Sequence, residues 1–241
     1  MRRLCLALCL TFSSLSYAEA YLAIIVDDLG NNLARGEEAI ALEGKVNVAI
    51  IPHTPHARAL AELAAQKQKD VLVHMPMSSE SKSYSTQGIL TPDMSREVFA
   101  AAVESNLAEI AQAAGVNNHM GSELTQSYPH MRWLMQVLKS HGLYFIDSRT
   151  SAATEALQAA RDSLVSSDRR HVFLDNESDE NSINQQLDTA INTALESGFA
   201  IAIGHPRPST LRVLKKRLAA LSAEGVTLVS MSHYLALKQA R

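Results

Sequence analysis

The segment 21-YLAIIVDDLGNN-32 joins an apolar run to two adjacent carboxylates. The run has the length and composition of a buried β-strand, and Asp27 and Asp28 stand where that strand ends. Neighbouring side chains of a strand project to opposite faces, so the two aspartates should either straddle the strand or separate in the loop beyond it. Two like charges this close disfavour each other's ionised form. We therefore expect a compensating positive group at this strand end.

Seven further apolar runs follow along the chain, and amphipathic helical patterns lie between most of them. One such pattern comprises Phe99, Val103, Leu107 and Ile110. This alternation predicts parallel strands joined by helical crossovers. Seven or eight such units fit a distorted (β/α) barrel better than an open sheet. The apolar runs are 46–51, 71–75, 116–120, 143–147, 171–175, 199–204 and 226–230.

The N-terminal residues 1–18 have the layout of a secretory signal peptide. Arg2 and Arg3 precede an apolar run that ends in the small-x-small pattern of Ser16 and Ala18. That run is too short to span a membrane, and no later segment has the required length. We predict cleavage after Ala18, a single domain over residues 19–241, and a periplasmic location in preference to full secretion. Both cysteines, at positions 5 and 9, lie inside this segment, so the mature chain would contain no disulfide.

Composition and charge disfavour one class of partner. The formal net charge is −3, and no basic tract stands out, which disfavours a nucleic-acid partner. The segment 78–93 is an unusually long polar loop, and loops of this kind are often lids or binding loops. We expect this loop to lie over a functional site.

Aspartate and histidine residues occur at the ends of six of the predicted strands. Barrel enzymes build their active sites at this rim. A single histidine there is often structural, and a single aspartate is often a helix N-cap. Independent caps, however, have no reason to collect on one rim, so the set as a whole favours a functional site. Its members are Asp27, Asp28, His74, His119, Asp147, Asp175 and His205.

A carboxylate and two imidazoles on a divalent metal would explain this set. Three protein ligands and an open position are typical of catalytic zinc. The metal would compensate the paired aspartates, one serving as ligand and the other as base. His53 and His56 also follow a strand, but Pro55 between them indicates a turn, which makes ligation there less favoured. The histidines away from the rim, at positions 130, 141, 171 and 233, are interpreted as structural.

Five motifs of the chain resemble those of the divergent polysaccharide deacetylase family. This family is a branch of the metal-dependent carbohydrate deacetylases with a NodB-like fold. The resemblance extends from Tyr21 to about Tyr234, with the motifs in the family's order. They are 24-IIVDDLG-30, 73-VHMPM-77, 117-NNHMGS-122, 145-FIDSRT-150 and 203-IGHPRP-208.

The resemblance implies a role for each residue of the first two motifs. Asp27 would be the catalytic base and Asp28 a metal ligand. Ordinary deacetylases supply two metal histidines spaced four residues apart, whereas this chain has His74 followed by Ser78. His119, on a neighbouring strand, is the expected replacement for the missing ligand.

The later motifs supply the remaining catalytic groups. His205 would be the general acid, and Asp147 would orient His205 or a neighbouring imidazole. The implied reaction is removal of an N-acetyl group from an amino sugar, with Zn²⁺ as the expected metal and peptidoglycan or another envelope polysaccharide as substrate. Two alternatives stay open. One is a non-catalytic glycan-binding or envelope-partner protein, which the altered second motif favours, and the other is a metal-dependent hydrolase of a different bond.

Overall fold

A computed structural model describes residues 19–81 and 86–241. The proposed signal peptide and residues 82–85 of the long loop lie outside this range, so cleavage after Ala18 stays a prediction. The strands are β1 (Ala20–Leu29), β2 (Asn47–Ile50), β3 (Val71–Met77), β4 (Ala113–Met120), β5 (Tyr144–Asp147), β6 (Ser167–Arg169), β7 (Val172–Phe173), β8 (Phe199–Gly204) and β9 (Val226–Leu228).

The helices alternate with these strands along most of the chain. Two short 3₁₀ helices, Leu124–Gln126 and Leu218–Ala220, accompany them. The α-helices are α1 (Leu33–Ile40), α2 (Ala57–Gln66), α3 (Arg96–Ala108), α4 (Tyr128–Ser140), α5 (Ala156–Ser163), α6 (Glu180–Ser197), α7 (Pro208–Arg217) and α8 (Met231–Gln239).

The strands form one curled parallel sheet in the order β6-β5-β4-β3-β2-β1-β8-β7. A short ninth strand, β9, pairs with residues 20–22 of β1. The predicted distorted barrel of parallel strands is therefore confirmed, with eight strands in a continuous path and β9 beside it. The two ends of the path, β6 and β7, are consecutive in sequence and are connected by Arg170 and His171.

Of the predicted strand 171–175 only Val172 and Phe173 form a strand, β7, and a short strand that was not predicted, β6, precedes it. The polar segment of β6 carries no hydrophobic alternation, and it becomes a strand because it pairs with β5. His171 donates its backbone N–H to the carbonyl of Ile201 and accepts the Ile201 N–H at its ring Nδ1 (2.9 and 3.0 Å). The His171 ring thus takes the place of a backbone acceptor in the hydrogen bonding between strands, which agrees with the structural role expected for this histidine.

Hydrophobic side chains pack on both faces of the sheet, and β1 contributes to both. Leu22, Ile24 and Val26 belong to the larger core cluster, whereas Tyr21, Ala23 and Ile25 belong to the smaller one. In α6 the sequence pattern Ile183, Leu187, Ile191 and Leu195 predicts one apolar face, but Leu195 is 49% exposed and Ala194 is buried in its place.

Candidate metal centre

A cleft of about 440 Å³ opens at the carboxyl ends of the strands. It is lined by Asp27, Asp28, His74, Asn118, His119, Met120, Ser148, Arg149, Thr150, Arg170, Phe173, Ile203 and His205. The structure therefore brings five of the seven predicted rim residues into one cleft, whereas Asp147 and Asp175 are absent from its lining.

The backbone of Asp28 explains how both aspartates reach one cleft. Strand alternation places Asp27 on the face of Tyr21, Ala23 and Ile25, and would send Asp28 to the other face. Asp28, however, has φ 61°, in the left-handed region that side-chain-bearing residues rarely adopt. This turn at the strand end brings the Asp28 carboxylate back toward the cleft.

Asp28 lies between two imidazoles. Its Oδ1 is 3.1 Å from Nε2 of His74 and 2.9 Å from Nδ1 of His119. One ligand atom from each of these residues can be chosen so that all three lie within 4.8 Å of one another. The group joins β1, β3 and β4, as the sequence predicted for a ligand set that uses His119.

The bonding of Asp28 Oδ1 fits a cation at this position. This oxygen is buried and is assigned no hydrogen-bond partner within the described part of the chain, although a ring nitrogen of His74 and one of His119 lie near it. A carboxylate and two imidazole nitrogens are ligands that zinc accepts. Although burial disfavours ionisation, contacts with His119 and His74 hold the pKa of Asp28 below its usual range.

Asn117 fixes the orientation of the His74 ring. Its Nδ2 donates to Oδ1 of Asp27 (2.8 Å), so its Oδ1 is the atom that faces Nδ1 of His74, also at 2.8 Å. His74 therefore carries its proton on Nδ1 in the neutral state, and the Nε2 lone pair points toward the proposed ligand group. Burial alone would lower the pKa of His74. The charges of Asp27 and Asp28 outweigh this effect and raise the pKa of His74 to about 9 when no cation competes.

Asp27 has the properties of a base beside this group. It is buried, and its Oδ2 lies 3.7 Å from Nε2 of His74. Burial raises the pKa of Asp27, and the charges of His74 and His205, together with the hydrogen bond from Asn117, only partly offset this effect. A carboxylate with a raised pKa holds an abstracted proton better than an exposed one.

His205 lies near the other carboxylate oxygen of Asp28, with Nε2 3.7 Å from Oδ2. Its partner is Asp175, which contacts the ring Nδ1 at 2.9 Å and accepts the backbone N–H at 2.7 Å. The hydroxyl of Thr210 also donates to Asp175, at 2.8 Å. Burial alone would lower the pKa of His205, but the hydrogen bond to Asp175 outweighs this effect and raises the pKa of His205.

The orienting role expected of Asp147 is therefore wrong with respect to His205. Asp147 is fully buried, and its carboxylate accepts hydrogen bonds from the backbone N–H of Arg149 (2.8 Å) and the hydroxyl of Thr154 (3.0 Å). It supports the loop after β5, whereas Asp175 at the neighbouring strand end contacts the imidazole. The sequence offered two strand-end aspartates, and only the order of the strands decides between them.

A second cleft of about 440 Å³ lies on the other side of Asp28 and His119. Thr86 and Gln87 line it, so the described part of the long loop does reach the rim, as expected. His53 also lines it, with Nε2 3.0 Å from Oδ1 of Asn106, and it is not part of the ligand group. Tyr84, at the centre of the loop, lies outside the described residues.

Sequence reasoning missed two functional neighbours, Asn117 and Arg170. Asn117 lies two residues before His119, so strand alternation places both side chains on the same face of β4. Arg170 follows a strand that lacks an apolar signature, and no sequence pattern indicated it. No helix within residues 19–81 and 86–241 is both long enough and apolar enough to cross a membrane.

Comparison with known proteins gives matches over nearly the whole chain. A model described as divergent polysaccharide deacetylase matches residues 24–235. The uncharacterized protein YibQ of Escherichia coli K12 is 38% identical over 89% of this chain and 67% of its own length. An uncharacterized protein of Haemophilus influenzae is also 38% identical, over 92% of this chain and 79% of its own.

Solved structures share the fold. An uncharacterized protein of Agrobacterium tumefaciens C58 superposes with a TM-score of 0.86 at 20% identity, covering 90% of each chain. The catalytic domain of a peptidoglycan N-acetylglucosamine deacetylase from Eubacterium rectale gives 0.55 at 13% identity, covering 88% of this chain and 89% of that one. A CE4 family pseudoenzyme from Bacillus anthracis gives 0.58 at 12% identity, covering 91% and 66%.

Proposed function

The chain belongs to the divergent polysaccharide deacetylase family, and we propose that it is a metal-dependent hydrolase that removes an N-acetyl group from an amino sugar of a periplasmic glycan. The observation that carries this proposal is the convergence of Asp28, His74 and His119 beside a buried carboxylate, Asp27, and an oriented imidazole, His205. Peptidoglycan or another envelope polysaccharide is the substrate class that the family and the predicted signal peptide support.

Asp28, His74 and His119 would hold the metal, with zinc as the expected ion. When bound, the ion would supply Lewis-acid activation of the acetyl carbonyl and of the attacking water. Asn117 keeps the Nδ1 proton of His74 away from the ion, so that the Nε2 lone pair remains available.

Two residues of the chain would move protons in the reaction. Asp27 accepts a proton from the attacking water, since its carboxylate is buried and its pKa is raised. His205 donates a proton from Nε2 to the departing amine, because Asp175 retains the Nδ1 proton and stabilises the charged ring. The products are free acetate and an amino sugar.

The experiment is acetate release by the purified chain loaded with Zn²⁺, measured on peptidoglycan fragments and N-acetylglucosamine oligomers. We expect turnover with wild type, loss of turnover in Asp27→Asn and His205→Ala, and wild-type rates in the exposed control His233→Ala. Wild type that binds metal and these glycans without releasing acetate would contradict the proposal.

A non-catalytic glycan-binding role is the second candidate, and Ser78 is the observation that favours it. This residue stands where ordinary deacetylases have a metal histidine, and the fold neighbours include a pseudoenzyme. Under this alternative, Asp27→Asn would leave glycan binding and the cellular role unchanged. A complementation assay in cells that lack the gene therefore separates the two candidates.

A further inference from the structure

Arg149 brings an unpaired positive charge into the metal cleft. The side chain lines the cleft and is only partly exposed. Across the described ranges it makes no hydrogen bond and no ion pair within 4.0 Å. By contrast, the guanidinium of Arg217, which is 24% exposed, pairs with Asp188 at 2.8 Å and Glu224 at 3.1 Å. A guanidinium has five N–H donors, so leaving it unpaired at a partly buried position requires a reason.

The backbone of Arg149 is held in an unfavourable conformation. Its φ is 53°, in the left-handed region. The surrounding structure enforces this value: the N–H of Arg149 donates to Asp147 (2.8 Å), and its carbonyl accepts from Nη2 of Arg170 (3.0 Å). Strained residues persist where their surroundings over-determine them, and such residues concentrate at functional sites.

Arg170 places a second positive charge in the lining of the same cleft. Its Nε donates to the carbonyl of Ser148 at 2.7 Å, and its guanidinium lies 4.8 Å from the ring centroid of Phe173. Phe173 in turn packs edge-on against His205, with centroids 5.4 Å apart. These contacts fix the guanidinium, while Nη1 has no protein partner in the described structure.

Among the described residues no carboxylate forms a close ion pair with Arg149 or Arg170, although the charges of Asp27 and Asp147 act on Arg170 at longer range. Both oxygens of Asp147 are used by the loop, Asp27 is bonded to Asn117, and Asp28 faces the two imidazoles. No carboxylate of the described residues lies within 4.0 Å of either guanidinium. A neutral sugar would offer the Arg149 guanidinium no charged partner in this cleft.

We propose that Arg149 and Arg170 bind an oxyanion of the substrate, so that the glycan is an acidic one with a carboxylate or phosphate group near the acetylated amine. The proposal rests on the proposed function, since it assumes that the cleft binds a glycan. The planar fork of an arginine matches a carboxylate or a phosphate through two parallel hydrogen bonds. Arg149, with all its donors available, would make the main contact.

The test is calorimetric binding in the Asp27→Asn background, which needs no turnover. The probes are the N-acetylglucosamine–N-acetylmuramic acid disaccharide (carboxylate), N-acetylglucosamine 1-phosphate (phosphate) and neutral chitobiose. We expect at least one anionic probe to bind tenfold or more tightly than chitobiose, with the difference reduced at high salt. The preferred probe identifies whether the oxyanion is a carboxylate or a phosphate.

Two substitutions of Arg149 assign the preference to this residue. Arg149→Asn removes the charge with a residue that tolerates left-handed backbone, and we expect it to abolish the anion preference. Arg149→Lys should retain part of the preference, and the exposed Arg169→Asn is the matched control that should retain all of it. Melting temperatures check that each variant is folded.

Equal binding of anionic and neutral probes by the parent, or an anion preference that survives in folded Arg149→Asn, would overturn the inference. Failure of the proposed function gives a different result. In that case wild type would release no acetate from any glycan, while the Arg149-dependent anion preference would persist.

Discussion

Asn117 donates a 2.8 Å hydrogen bond to Asp27, which connects β4 to the end of β1. Because this bond uses the amide nitrogen, the amide oxygen is left for His74. One buried amide thus orients the proposed base and one proposed metal ligand together. Residues that orient metal ligands in this way commonly affect metal affinity by 10–100-fold.

We expect Asn117→Ala to weaken Zn²⁺ binding by about 10–100-fold, because the His74 ring loses the contact that fixes its orientation. A chelator-competition titration measures the affinity. The control is Asn181→Ala, at an exposed position of α6. Unchanged zinc affinity in folded Asn117→Ala would show that ring packing alone orients His74.

His119→Ala should lower zinc affinity more strongly than Asn117→Ala, because it removes a direct ligand. We expect a loss beyond the ~100-fold range of an orienting residue, comparable to that of His74→Ala. Metal analysis after dialysis provides the measurement, with His233→Ala as the exposed histidine control. Full zinc occupancy in His119→Ala, with depletion in His74→Ala, would exclude His119 as a ligand.

Substitution of Asp27 and of Asp28 should have different effects on zinc binding. Asp28→Asn should lose both zinc and activity, because a neutral amide is a poorer ligand than a carboxylate. Asp27→Asn should retain zinc and lose about 100-fold or more in kcat, the usual scale for removing a general base. Metal content and acetate release are measured on the same preparations. Equal zinc loss in both variants would mean that the pair binds the ion jointly.

Asp175→Asn should shift the pH dependence of acetate release. Burial alone would lower the pKa of His205, but the hydrogen bond to Asp175 raises the pKa of His205. The imidazolium of His205 therefore persists to higher pH in wild type. A general acid acts in its protonated form, and activity is lost as pH rises through its pKa. Removing the charge of Asp175 lowers that pKa, so we expect the alkaline limb to move to lower pH.

The pH–rate profile of kcat/KM is the measurement, and Asp188→Asn is the matched control because that carboxylate pairs with Arg217 at the surface. An unchanged alkaline limb in Asp175→Asn, at wild-type melting temperature, would assign the limb to another group.

The sequence predicted the arrangement of the fold because its signals are local. Alternating apolar runs and amphipathic helices indicate parallel strands with helical crossovers, and the strand ends then have to share one rim. Asp27, Asp28, His74, His119 and His205 could be assigned to that rim from their positions after strands alone. The prediction was weakest at β6, where the strand depends on pairing with β5 and not on its own composition.

Tertiary structure alone decided which aspartate contacts His205. Asp147 and Asp175 both follow strands, yet β7 lies beside β8, and this neighbour relationship brings Asp175 to His205. The left-handed backbone of Asp28 and Arg149, which turns both residues toward the cleft, likewise depends on contacts from distant strands and loops. Periodicity in a sequence specifies which face a residue occupies, whereas strand order and local backbone conformation are set by packing between segments far apart in the chain.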